Sequence, residues 1–211
     1  MKQRFPKDRK LRPQRTNDPE GNRRNIIAVA TREFADKGFS GARVDAIAAR
    51  TKSSKRMIYY YFGGKEGLYI AVLEEAYRKI RDIEAALDLS HQPPEEALRN
   101  LVISTFDYQN THPEFIRLVM NENILNGAYV LRSKEIRRLN RAVISAAREL
   151  LQRGQSEGTF RPDVDPVDLH MSIRPLIEAR ATTCCHGVGF VQAAARPMVS
   201  KVRWRSSRSL T

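Results

Sequence analysis

From Asn22 onward, apolar residues return every three or four positions, the spacing that puts side chains on one face of an α-helix. Ile26, Ile27, Ala30, Phe34 and Ala35 make the first stripe, which Gly38 is placed to end in a left-handed cap. Val44, Ile47 and Ala48 predict a short second helix, and Ser54 to Tyr61 a third, crowded with aromatic and basic side chains. A fourth is expected from Lys65 to about Leu87, with Leu68, Val72, Ala76, Ile80, Ile83 and Leu87 along its stripe. After a break over Asp88 to Pro94, Ala97, Leu101, Ser104 and Tyr108 begin another helix. Pro113 opens the next in its first turn, with Thr111 or His112 as cap, and Phe115, Ile116, Leu118, Val119 and Glu122 belong to it. Ile136, Leu139, Val143, Ala147, Leu150 and Leu151 predict a longer helix ending near Gly154, and Asp165 caps one more that starts at Pro166, with Asp168 near its positive end. No strand-like alternation competes and no internal repeat is evident, so the expected fold is all-α.

Charge sharpens this picture. The 211 residues carry 37 Lys and Arg against 24 Asp and Glu, a formal net charge of +13. Residues 1–24 hold 9 basic and 3 acidic side chains and residues 174–211 hold 7 and 1, so each end carries +6 and the middle only +1. Basic ends around a balanced globule suit a polyanionic partner, because Lys and Arg displace counterions condensed on phosphates. The proline-bearing stretch from Arg4 to Gly21 lacks the apolar content to fold alone and reads as a flexible arm. No apolar run approaches the roughly 18 residues of a membrane span, and Met1 to Arg12 has no hydrophobic signal core, so a cytoplasmic protein is expected.

The chemistry concentrates in residues 39–73. A short helix, a tight turn and a second short helix there offer Ser54, Lys55, Arg56, Tyr59 and Tyr60 on one exposed face. Such a helix fits the major groove of duplex DNA, where Lys and Arg donate to guanine O6 and N7 and hydroxyls reach bases or phosphates. In order, the stretch reads Ile47-Ala48-Ala49, Ser54-Lys55, Ile58-Tyr59-Tyr60-Tyr61-Phe62 and Lys65-Glu66-Gly67-Leu68, and it closely resembles the signature of the TetR family of transcriptional regulators. The resemblance implies that Tyr59, Tyr60 and Lys65 meet phosphates and that Lys55 and Arg56 lie in the groove; core packing accounts for the rest of the aromatic run, with Tyr61 and Phe62 expected to face inward. Arg43, Lys52, Ser53 and Ser54 complete the candidate DNA-binding set. Where the family usually has Gly-Val in the turn, this chain has Lys52-Ser53, so a side chain stands where positive φ is expected, at a cost of order 1 kcal/mol.

The resemblance continues through His112-Pro113-Glu114-Phe115 and Gly158-Thr159-Phe160-Arg161-Pro162-Asp163, and it implies a small-molecule effector pocket and a homodimer. Candidate pocket residues are Phe106, Phe115, Val119, Glu122 and Asn123. The expected organisation is therefore a basic arm over 1–21, a three-helix helix-turn-helix module over 22–66 that takes double-stranded operator DNA, and a larger helical effector-binding and dimerisation domain over 67–173. Residues 174–211 fit neither unit: Arg174-Pro175 interrupts the last helix, and the stretch beyond it is Arg-rich and aperiodic. Two readings fit this tail, a segment out of register with the family, as a shifted reading frame would leave, or a functional basic extension.

Nothing points to catalysis, a cofactor or a metal. Cys184 and Cys185 are adjacent rather than spaced as zinc ligands, Asp163, Asp165 and Asp168 lack calcium-loop spacing, and Gly63-Gly64-Lys65 has no earlier glycine and no following Ser or Thr. His170 is a lone imidazole. The expected function is that of a repressor released from a near-palindromic operator by its effector; the alternative is a basic protein that coats nucleic acid without sequence preference.

Overall fold

The computed structural model describes residues 18–173, and every element among them is helical. The basic tail, with its two cysteines and its two alternative readings, lies outside the described residues, as does most of the arm.

Helix α1 spans Pro19–Gly41, and so begins three residues before the predicted start at Asn22. Asp18 explains the difference: its carboxylate accepts from the Gly21 N–H (2.8 Å), and Pro19 fills the first turn, where its missing donor costs nothing. Residues 19–21, expected to be part of the arm, are therefore the first turn of the helix. Gly38 does not make the predicted left-handed cap. With φ 66° and ψ 177° it kinks the chain, and a last helical turn comes before Ala42.

Helices α2 (Val44–Thr51) and α3 (Lys55–Phe62) complete the small module, and α4 (Lys65–Ala85) runs out of it into the larger half. A short 3₁₀ turn at Leu89–His91 leads to α5 (Pro94–Thr111), then α6 (Pro113–Ile124), a second 3₁₀ turn at Val130–Arg132, α7 (Lys134–Ser156) and α8 (Pro166–Ile173). Neither proposed cap of α6 acts through its side chain: Thr111 Oγ1 donates back to Asp107 O (2.8 Å), and the Phe115 N–H finds His112 O instead. Asp165 does cap α8, accepting from Val167 N–H (2.7 Å) and Asp168 N–H (3.2 Å).

Two apolar cores hold these helices. One gathers Ile26, Phe34, Ile47, Ile58, Leu68, Val72, Leu118 and Ile136, and runs without a break from α1–α3 into α4, α6 and the start of α7. It shows no seam at residue 66, the predicted domain boundary, because α4 and α6 pack directly on α1. The second joins α5, the end of α7 and α8 through Ala97, Leu98, Leu150, Leu151, Phe160 and Leu169. The stripe predicted for α4 is only partly right: Tyr69, Leu73 and Tyr77 are buried, while Ile83 is exposed.

Candidate nucleic-acid interface

α3 stands on one buried side chain. Ile58 is fully enclosed, and the face opposite carries Lys55, Arg56, Tyr59 and Tyr60, all exposed, with Tyr60 at 79%. Ser54 starts the helix by accepting the Met57 N–H on its hydroxyl (3.2 Å), which satisfies one of the donors a helix start leaves open. Tyr61 and Phe62 turn half inward and pack against the core; the Arg23 guanidinium lies 5.4 Å from the Phe62 ring centre.

The turn between α2 and α3 has the backbone that the family's glycine would ease. Lys52 sits at φ 53°, ψ 23°, left-handed, and its N–H closes α2 on Ala48 O and Ala49 O. Ser53 points to α1, where its hydroxyl donates to Asn22 Oδ1 (2.8 Å), so it braces the turn. Lys55 reaches Asp45 on α2 (3.0 Å), and that hydrogen bond and charge raise the ammonium pKa. Arg56, by contrast, has no ion-pair partner among the described residues, and its guanidinium is free to fork onto a base or a phosphate. Arg43 is exposed at the start of α2.

Lys65, expected to meet phosphate, also joins two elements of the protein. It is half-buried, donates to Ser40 O (3.2 Å) and lies 4.9 Å from the centre of the Phe39 ring, which ties the start of α4 to the end of α1.

Glu33 carries a role that its sequence position did not announce. Buried in α1, it accepts from Lys37 Nζ (2.7 Å), Arg50 Nη1 (3.3 Å) and the Arg43 N–H (3.4 Å), so one carboxylate fixes both ends of α2. The hydrogen bond from Lys37 leads the causes that hold its carboxyl below the ordinary range. The available signal was an acidic residue among Ile26, Ala30 and Phe34 on the apolar side of the helix.

Behind the module, a cavity of about 350 Å³ opens between α4, α5, α6, α7 and α8. Of the five candidate pocket residues, Phe115 lines it and the other four do not. Val119 belongs to the first core, Phe106 packs against the second, and Asn123 is on the surface. Glu122 accepts from the Tyr129 and Val130 N–H groups (3.0 and 2.9 Å), so it fastens the loop after α6. Burial and that carboxylate push the Tyr69 hydroxyl above its ordinary pKa. Val119 and Glu122 lie on the buried side of α6, the helix that packs on α1 and α4; Asn121 Nδ2 of α6 donates to Phe34 O (3.2 Å), and Arg117 pairs with Asp36 (2.5 Å). Cavity residues missed in the sequence are Arg81, Thr105 and Gln109. Thr105 and Gln109 continue the α5 stripe begun by Leu98 and Val102, and polar residues in that register were the signal. No helix among the described residues is long and apolar enough to cross a membrane.

Comparison with known proteins gives these features a context. Residues 26–72 match the family described as bacterial regulatory proteins, tetR family, and residues 94–184 match the tetracyclin repressor-like C-terminal domain. The chain is 38% identical over 162 residues to the HTH-type transcriptional repressor NicS of Pseudomonas putida, covering 77% of this chain and 76% of that protein. It is 33% identical over 152 residues to the HTH-type transcriptional repressor SCO4008 of Streptomyces coelicolor, covering 72% and 74%. A TetR family transcription regulator from Marinobacter aquaeolei has the same fold, with a TM-score of 0.71 at 22% identity over 87% of this chain and 96% of that one.

Proposed function

The chain belongs to the TetR family of DNA-binding transcriptional regulators, and from that premise we propose that it is a cytoplasmic homodimeric repressor released from its operator by a small molecule. The observation that carries this reading is the exposed face of α3, where Arg56, Tyr59 and Tyr60 stand out from a helix rigidly seated on Ile58. In the proposed complex Lys55 and Arg56 read base edges, the two tyrosines and Lys52 meet phosphates, and Arg43 flanks them. Lys65 acts by holding α4 against α1. Two copies place their α3 helices in successive major grooves, roughly 34 to 36 Å apart, on a near-palindromic site. Val167 and Met171, exposed one turn apart on α8, are apolar positions that a second copy would cover.

The cavity behind the module is the proposed effector site, with Phe115 as one wall. An effector that prefers a conformer with the wrong spacing between the two reading heads lowers DNA affinity, and linkage requires DNA to lower effector affinity by the same factor. Selection of bound duplexes from random DNA, with footprinting of the winners, tests the reading. Enrichment of an inverted repeat protected on two successive turns is the expected result; a pool that stays flat would replace the repressor with a protein that coats nucleic acid nonspecifically.

A further inference from the structure

The first turns of α1 join the reading head at two points. Asn22 Oδ1 accepts the Ser53 hydroxyl (2.8 Å) in the turn before α3, and the next residue, Arg23, holds its guanidinium 5.4 Å from the centre of the Phe62 ring at the end of α3. Phe62 falls three residues after Tyr59 and four after Ile58, so it lies on the border between the exposed face of α3 and its buried side. A cation held over that ring stands at the edge of the face that carries Lys55 and Tyr59.

The charge of Arg23 is unanswered within the fold. Five arginines among the described residues are buried or half-buried: Arg23, Arg78, Arg81, Arg153 and Arg161. Arg78, Arg81 and Arg161 are paired with Glu75, Glu84 and Asp163, and Arg153 donates to the carbonyls of Leu89, Ser90 and Gln92. The side chain of Arg23, alone of the five, has neither an ion pair nor a hydrogen bond among the described residues. An aromatic ring steadies a guanidinium without using its N–H donors, and a steadied guanidinium with open donors suits a two-pronged grip on phosphate.

Resting on the DNA-binding reading of α3 above, we propose that Arg23 is a further DNA contact: it clamps a backbone phosphate of the strand that passes the edge of α3. Its place beside the groove-entering face, and not on it, assigns it to the backbone rather than to a base.

Titration of a labelled duplex with the full chain at several salt concentrations tests this in wild type and three variants. The duplex is the selected one or, where selection from random DNA stays flat, one of arbitrary sequence, so a flat selection removes the sequence-specific reading and still leaves the clamp to be measured. Arg23→Met keeps an unbranched side chain on the Phe62 ring and removes the charge. Its slope of log affinity against log salt should fall by about 0.9, which is about a fivefold loss of affinity at 0.15 M salt. Arg23→Lys should keep the slope and lose part of the affinity, because the charge remains and the two-pronged geometry does not. Arg148→Ala, which removes an exposed arginine without an ion pair among the described residues from α7, should leave the slope at the wild-type value. An unfolded fraction would scale apparent affinity alike at every salt concentration and leave the slope alone, so the slope decides. Equal slopes for wild type and Arg23→Met with DNA still bound, or an equal fall in Arg148→Ala, would overturn the clamp alone; a wild type that binds no duplex removes the DNA-binding reading and the clamp with it.

Discussion

Replacing Lys52 by glycine should make the protein more stable and its DNA complex weaker. Lys52 closes α2 at φ 53°, ψ 23°, a conformation that costs an L-residue roughly 1–2 kcal/mol and glycine almost nothing. The side chain is exposed and makes no hydrogen bond or ion pair among the described residues, so its removal takes no contact from the fold. Allowing for the extra freedom glycine gives the unfolded chain, the gain is about 1 kcal/mol, or about 2–4 °C in melting temperature for a chain of this size. On DNA, the loss of one phosphate-facing cation lowers the slope of log affinity against log salt by about 0.9, which is about a fivefold loss at 0.15 M salt. Thermal unfolding and anisotropy titrations of a selected duplex at four salt concentrations read the two effects separately. Lys52→Ala is the internal control: it loses the same charge and keeps the strain, so its affinity falls without the gain in stability. A melting temperature for Lys52→Gly at or below that of Lys52→Ala would refute the argument from backbone strain, and an unchanged salt slope in both would refute the placement of this side chain at the DNA.

Other substitutions probe other parts of the design. Arg56→Ala should flatten base preference at one position per half-site, at about 1–3 kcal/mol, with little change in melting temperature; selection from random DNA reads it. Glu33→Gln should cost about 1–3 kcal/mol, because a buried acceptor of three donors loses its charge; urea unfolding at neutral pH measures it. The depressed folded-state pKa of Glu33 means that its contribution is complete above the ordinary value of 4.5 and fades as pH falls below it, so wild type and Glu33→Gln should converge in stability toward pH 3 and diverge toward pH 6. Gly154→Ala should destabilise by about 2–4 kcal/mol despite the better helix former: the new Cβ would stand 2.0 Å from Phe160 Cδ2, and the Phe160 N–H is bound to Gly154 O (2.9 Å), which holds the ring in place. A Gly154→Ala protein as stable as wild type would show that the ring yields.

The helices and the DNA-reading face were legible in the residues because both depend on neighbours in sequence. Apolar spacing, Asp165 before Pro166 and Ser54 before Lys55 act within one or two turns, and the order of residues 47–68 carried the family resemblance. Even the strain at Lys52 was visible as a side chain in a glycine's place. The features that failed to read from the chain were matters of which face meets which. Val119 and Glu122 have the character of pocket residues, yet α6 turns them toward α1 and α4, and nothing within α6 states that direction. The contacts of Lys65 with Ser40 O and the Phe39 ring likewise come from the fold, which sets the start of α4 against the kinked end of α1. Thr105 and Gln109 line the same cavity as Arg81 from a helix 24 or more residues further along, and the burial of unpartnered atoms in all three exists only because packing encloses them. A helix's periodicity is a local property of the backbone, whereas the rotation of one helix against another minimises exposed apolar area over the whole core, which no single segment encodes.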